Sequence, residues 1–170
     1  NVERELRLIN DLLDVTRINA DRMDLTMTSV DVHEVLGSVL KIFQGEIQTK
    51  RIRIDIHPDA REHHVRGDRA RLLRVFWNLV GNAVKFSPSG GSVVVSSANR
   101  HAGAITVQVT DTGIDHEPGA IDDIFRAMEG DDRPMTFSEH GLGLSISKTL
   151  IELHGGTLTP ESLDDDPLVG

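Results

Sequence analysis

The sequence predicts an α+β sandwich, with helices on one face of a mixed sheet and a helical arm at the N-terminus. Three observations lead there. Segments with helical spacing are interspersed with short strand-like runs along the chain. Two of those runs, Ser92 to Ala98 and Ala104 to Thr110, are joined by the short polar stretch Asn99 to Gly103, which reads as an antiparallel hairpin. Val2, Leu6, Ile9, Leu13, Thr16, Ala20 and Met23 form a heptad seam, which predicts the arm.

The elements follow in order. Leu8, Leu12 and Val15 widen the seam of the arm, so it asks for a partner helix; packing on its own domain is the alternative. Residues 24 to 30 alternate weakly, as a short strand would. Asp31 is placed as an N-cap, with Glu34 completing a capping box. Val32, Val35, Leu36, Val39, Leu40, Phe43 and Ile47 then repeat with helical spacing. Arg51 to Ile56 alternates as a half-buried strand does, and a short extended piece is expected near Val65. Asp68 can cap the next helix, whose apolar face is Leu72, Val75, Phe76, Leu79, Val80 and Ala83 and which must end before Pro88. After the hairpin, residues 111 to 140 are acidic and poorly periodic, with one short helical candidate at Ile121 to Met128. A connection of that length is a functional loop or is disordered. Helical spacing returns from Gly141 to His154 through Leu142, Ile146, Leu150 and Leu153, and Gly155-Gly156 stops it. A strand is expected to begin at Thr157 to Thr159.

Composition narrows the functional classes. The 170 residues, 38% hydrophobic and 26% charged, suit one domain with a short appendage. No apolar run approaches the roughly 18 residues of a membrane-spanning helix. The chain has no cysteine, which excludes disulfides and thiolate chemistry and fits a reducing compartment. A net charge of −9 argues against non-specific nucleic-acid binding. The charge is uneven: eight of the 18 basic residues lie between Lys50 and Arg74, whereas Asp111 to Glu139 holds nine carboxylates against Arg126 and Arg133.

Three local patterns carry chemistry. Asn78, Asn82 and Lys85 are spaced i, i+4, i+7 and share one polar stripe of a helix. Carboxamide oxygens suit Mg²⁺ with its waters and phosphate oxygens, and a lysine suits polyphosphate; a solvated helix face would look the same. Asp111-Thr112-Gly113 follows an apolar strand. A carboxylate there can accept from an exocyclic amine and the glycine permits close approach, although Asp-x-Gly is also a common turn. Gly141-Leu142-Gly143-Leu144 opens a helix, where free amides and the helix dipole favour phosphate; a hinge is the alternative.

In combination and in this order, the patterns resemble sensor histidine kinases. Asn78-Leu-Val-Gly-Asn82-Ala-Val-Lys85-Phe86-Ser-Pro resembles the N box, Asp111-Thr-Gly113 the G1 box, Ile124-Phe125 the F box and Gly141-Leu-Gly143-Leu the G2 box. Residues 8 to 18 resemble the second helix of the dimerisation and phosphotransfer domain. The resemblance implies a two-layer α/β sandwich, shared with the gyrase, chaperone and mismatch-repair ATPases, over residues 24–170, preceded by that helix at 1–23. By resemblance, Asn82 ligates Mg²⁺ and Asn78 assists. Lys85 contacts phosphate, Phe86 lies against adenine, Asp111 accepts from the adenine amino group and Gly113 allows its approach. Residues 125–139 would form a lid with Arg133 as its phosphate contact, and Gly141, Leu142 and Gly143 would shape its end.

The activity implied is transfer of the ATP γ-phosphoryl group to a histidine on an upstream helix outside this chain, then to the aspartate of a response-regulator receiver domain. A homodimer through the N-terminal helix of the full-length protein, a cytoplasmic location and, in the full-length protein, an optional membrane anchor are implied with it. His33-Glu34 has the acidic successor of an acceptor, but it lies after the arm; His33 is read as a helix-surface residue. His63, His64, His101 and His154 are read as surface or packing residues, and no His-x-x-x-His helix pair suggests zinc. The chain departs from the family at Asp115 and Glu139, where glycines are usual, and at Ala127-Met128. Two extra carboxylates near a polyphosphate leave a second reading open, a degenerate nucleotide-binding or dimerisation module that regulates a partner without phosphotransfer. The last strand of the sheet is expected to be missing.

Overall fold

The computed structural model describes residues 24–111 and 139–159, with the backbone alone at 139–143. The helical arm at 1–23, the acidic stretch with its helical candidate Ile121–Met128, and the residues after 159 lie outside the described residues. The chain divides into two compact units, 1–115 and 116–170.

The first unit begins with β1 (Thr28–Asp31), which runs directly into α1 (Val32–Lys50). Asp31 ends the strand and caps the helix: its carboxylate accepts from the amides of His33 and Glu34. The reciprocal half of the capping box is replaced, because the Glu34 carboxylate faces Arg69 at 3.1 Å. After α1 come β2 (Arg53–Pro58) and β3 (His64–Gly67), then α2 (Arg69–Phe86), β4 (Ser92–Ala98) and β5 (Thr106–Asp111). Asp68 caps α2 as the sequence predicts, accepting from the Arg71 amide, and its second oxygen accepts from the Thr26 amide at 2.9 Å.

The strands form two sheets. β2, β4 and β5 make a mixed sheet in that order, β2 parallel and β5 antiparallel to β4. β1 and β3 form a separate antiparallel ribbon, with Val30 opposite Val65. The α+β class and the hairpin hold. The mixed sheet holds as well; β1 stands apart from it, since it turns into α1 at Asp31 and pairs only with β3 among the described residues.

Burial along β4 alternates. Val93, Val95 and Ser97 are buried, and Val94, Ser96 and Ala98 are half-buried, so one face carries the core. On α1 the buried residues are Val32, Val35, Leu36 and Val39, and on α2 they are Leu72, Val75, Phe76, Val80, Ala83 and Val84. Each fully buried side chain of this size contributes about 1.5–3 kcal/mol. The helices meet where the Phe43 ring lies over Gly81, whose missing Cβ would sit 2.9 Å from Phe43 Cζ. The same ring tilts against Trp77 with centroids 5.7 Å apart.

Three expectations change. The strand predicted from Arg51 begins at Arg53, because Arg51 takes a left-handed conformation (φ 54°) that ends α1, with amides bonding back to Gln48 and Ile47. Ile56 near the end of that strand is 53% exposed, whereas Ile52 in the same alternation is buried. His33 is half-buried rather than on the surface, and its Nε2 lies 2.8 Å from Ser97 Oγ on β4.

In the second unit, α3 (Glu139–Leu153) buries Ile146, Ser147 and Leu150. Gly155 stops it as predicted: its φ of +81° is the left-handed region that favours glycine, and its amide bonds to Glu152. Thr157–Thr159 is not a strand; the residues after the helix have no regular structure as far as Thr159. Among the described residues no helix is long and apolar enough to cross a membrane.

Candidate functional site

Asn78, Asn82, Lys85 and Phe86 lie on the C-terminal half of α2. The core stripe of that helix is occupied by Val75, Phe76, Val80, Ala83 and Val84, which turns the polar residues to its flank. Asn78, Asn82 and Phe86 are half-buried and Lys85 is exposed. That gradient suits a ligand whose base is covered and whose phosphates meet water.

Asp111 is the last residue of β5, half-buried and opposite Val93 on β4. Strand β5 packs against α2. One unit therefore carries the two carboxamides, the ammonium, an aromatic ring and the carboxylate on two adjacent elements. The donor set is hard oxygen plus one cation, which fits Mg²⁺ and polyphosphate.

The end of α2 is held by a side chain that sequence reading left unassigned. Lys50 Nζ donates to the carbonyls of Val84 at 2.7 Å and Lys85 at 3.0 Å. The Gly90 amide in turn donates to the Lys50 carbonyl at 2.8 Å. A cation at the last turn satisfies open carbonyls and complements the helix dipole. Its only sequence signal is a basic residue at the end of the preceding helix, which does not say which helix it caps. Directly after Phe86, Ser87 Oγ is buried with no hydrogen-bond partner among the described residues.

The G2-like glycines lie at the opening of a helix, as the sequence predicts; α3 starts two residues earlier, at Glu139, so Gly141 and Gly143 fall in its first turns. The first four amides of a helix have no partner within it, so the Gly141 amide still belongs to the open set. Leu142 is on the same turn. Gly113, Arg133, Asp115, Ala127 and Met128 lie outside the described residues.

Residues 67–166 match the family described as histidine kinase-, DNA gyrase B- and HSP90-like ATPases. The chain belongs to that family. The match takes in every residue singled out above for nucleotide. Among curated relatives, the histidine protein kinase DivJ of Caulobacter vibrioides is 32% identical over 158 residues, covering 92% of this chain and 26% of DivJ. The chain thus spans about a quarter of that relative's length. Among solved structures, full-length ShkA in complex with AMPPNP is 30% identical with a TM-score of 0.73, covering 89% of this chain and 31% of that one. The catalytic domain of histidine kinase ThkA is 25% identical with a TM-score of 0.64, covering 78% and 82%. This member of the ATPase family thus has the fold of histidine kinase catalytic domains.

Proposed function

We propose that this chain is the catalytic ATP-binding part of a sensor histidine kinase. It binds Mg·ATP and transfers the γ-phosphoryl group to a histidine on an upstream helix, for relay to the aspartate of a response-regulator receiver domain. The observation that carries the reading is the shared flank of Asn78, Asn82 and Lys85 on α2 beside Asp111 at the end of β5.

Asp111 accepts from the adenine amino group, with Gly113 giving the close approach and Phe86 covering the ring. Asn82, assisted by Asn78, would hold Mg²⁺, which supplies positive charge at the phosphate oxygens. Lys85 neutralises further phosphate charge, and Arg133 reaches phosphate from the lid. Gly141, Leu142 and Gly143 form the lid's end. In the transfer, the bond from the γ-phosphorus to the bridging oxygen breaks, a phosphorus–nitrogen bond forms on the acceptor imidazole, and ADP leaves. The residues of the ATP site position and neutralise; the covalent bond forms at the acceptor imidazole, not at any of them. In the full-length protein residues 1–23 contribute the second helix of the dimerisation domain and join two copies, on the cytoplasmic side if the protein is anchored.

Incubation of the full-length protein with γ-labelled ATP and Mg²⁺ tests this. The proposal expects acid-labile, alkali-stable label that disappears in Asn82→Ala; acid-stable label, or none, contradicts it. The carboxylates Asp115 and Glu139 favour the second reading, a degenerate module that regulates without phosphotransfer. Nucleotide binding with no transfer to histidine would select it.

A further inference from the structure

Far from the nucleotide residues in sequence, Asp31, His33, His63 and His64 meet where α1 begins beside the β1–β3 ribbon. The Asp31 carboxylate caps α1 by accepting from the His33 amide at 3.0 Å, and the same oxygen lies 2.7 Å from His63 Nδ1. The Val32 amide donates to the His63 carbonyl at 2.9 Å. The His33 ring is stacked on the His63 ring, with centroids 4.2 Å apart and planes 12° from parallel. Its Nε2 lies 2.8 Å from Ser97 Oγ on β4. The stack thus joins the first turn of α1 both to the ribbon and to the three-stranded sheet. We infer that it is a proton-operated joint: it stays closed while it carries no more than one positive charge, and acid that charges both rings releases the start of α1 from the ribbon and from β4.

The geometry opposes a second charge in two ways. One imidazolium is accommodated on His63, where the cation lies against the Asp31 carboxylate. Among the described residues no carboxylate is hydrogen-bonded to the His33 ring, so a second imidazolium there faces the first ring to ring, at a separation where like charges repel. The Ser97 contact changes as well. Neutral His33 can accept at Nε2 from the Ser97 hydroxyl, whose oxygen takes the Ala60 amide. The imidazolium only donates, so it turns the hydroxyl hydrogen away, and Ser97 is buried, out of reach of water that would receive it.

Asp31, His63 and His64 are the titratable groups that act on His33. His64 tilts against His63 with centroids 4.8 Å apart, and its Nε2 is 3.8 Å from Asp31 Oδ2. Glu34, next on α1, is turned to Arg69 of α2, and β4 presents the uncharged Ser97. The His63 hydrogen bond holds the Asp31 carboxyl below its ordinary 3.8, so it stays charged while the histidines titrate. Burial first, and then the charge of His63, hold His33 below its ordinary 6.5; Asp31 opposes this and His64 adds to it. The folded state therefore holds the His33 proton less tightly than the unfolded chain. The stabilisation is full above 6.5 and is lost as pH falls through the lower folded value.

The test follows imidazole and backbone amide resonances of the unaltered chain from about pH 8 to about pH 5. The inference expects His33 to titrate with a midpoint below 6.5, and the His33 and Glu34 amides, held by the Asp31 cap, to move with that midpoint. In His63→Asn, which keeps a donor for Asp31 but carries no charge, the His33 midpoint should rise by about 0.5 or more. In His33→Gln, which keeps a partner for Ser97 and does not titrate, the acid fall of the urea midpoint over that range should flatten. A His33 midpoint at or above 6.5, cap amides that stay in place while it titrates, a midpoint indifferent to His63→Asn, or an unchanged acid fall in His33→Gln overturns it. The wild-type resonances decide where a variant does not fold.

Discussion

Lys50 donates from its ammonium to the backbone carbonyl of Lys85 at 3.0 Å, so the end of one helix fixes the last turn of the next. That turn carries Lys85 and Phe86 and follows directly on Asn82, the residues proposed to meet phosphate, adenine and Mg²⁺. Lys50→Met keeps the aliphatic stem and removes the donor. It is expected to lower stability by about 1–2 kcal/mol, read from urea unfolding, and to weaken Mg·ATP binding more than a surface control such as Lys41→Met. Unchanged stability and affinity would mean that α2 ends in place without it.

Gly81 sits between the two asparagines where α1 and α2 touch, with Phe43 at the distance a side chain would need. Gly81→Val forces that ring away. The expected loss is about 1–3 kcal/mol in unfolding free energy, recovered in part by Phe43→Leu, which makes room. Failure of the second change to restore anything would place the strain elsewhere.

Asp68 has two tasks, capping α2 and accepting from Thr26 ahead of β1. Asp68→Ala should lose about 1–2 kcal/mol at neutral pH. Burial pushes its carboxyl up, but the amides of Thr26, Arg71 and Ala70 and the Arg71 charge together bring it below the ordinary 3.8. The folded state therefore holds its proton less tightly than the unfolded chain. Its stabilisation is full well above pH 3.8 and is lost as pH falls through the lower folded value. Acid titration of wild type against Asp68→Ala should show the stability gap narrowing below 3.8; a gap that widens in acid would reverse the assignment.

Ser87 contributes a buried hydroxyl with no partner among the described residues, while its amide bonds Ala83. Ser87→Ala keeps that amide and removes the unpaired oxygen. Thermal unfolding should show no loss and up to about 1 kcal/mol of gain. A clear loss would mean that the hydroxyl has a partner in solution.

Much of this was legible because local rules and tertiary structure agree. Asp31 and Asp68 are caps with the right residues behind them, and Ser92–Ala98 alternates as a strand buried on one face must. The stripe Asn78, Asn82, Lys85 follows from helical spacing alone, and its neighbour Asp111 from a strand end. What escaped depends on the third dimension. Alternation in Arg51–Ile56 does not reveal where the covered face ends, and Ile56 at the far end of β2 is exposed. The left-handed Arg51 has none of the glycine signal that usually marks a helix end. Lys50 reaches 34 and 35 residues along the chain, and His33 meets His63 through ribbon pairing. Neither spacing has a period that sequence reading can detect.

The central claim is that α2 and the end of β5 form a working Mg·ATP site. Calorimetric titration of this chain with Mg·ATP, beside Asn82→Ala and Asp111→Ala of verified fold, tests it most directly. The account predicts saturable binding in the wild type that both substitutions abolish or weaken by about 10-fold or more, a loss of about 1.4 kcal/mol per tenfold. A folded wild type that binds no nucleotide, or binding indifferent to both changes, would contradict it.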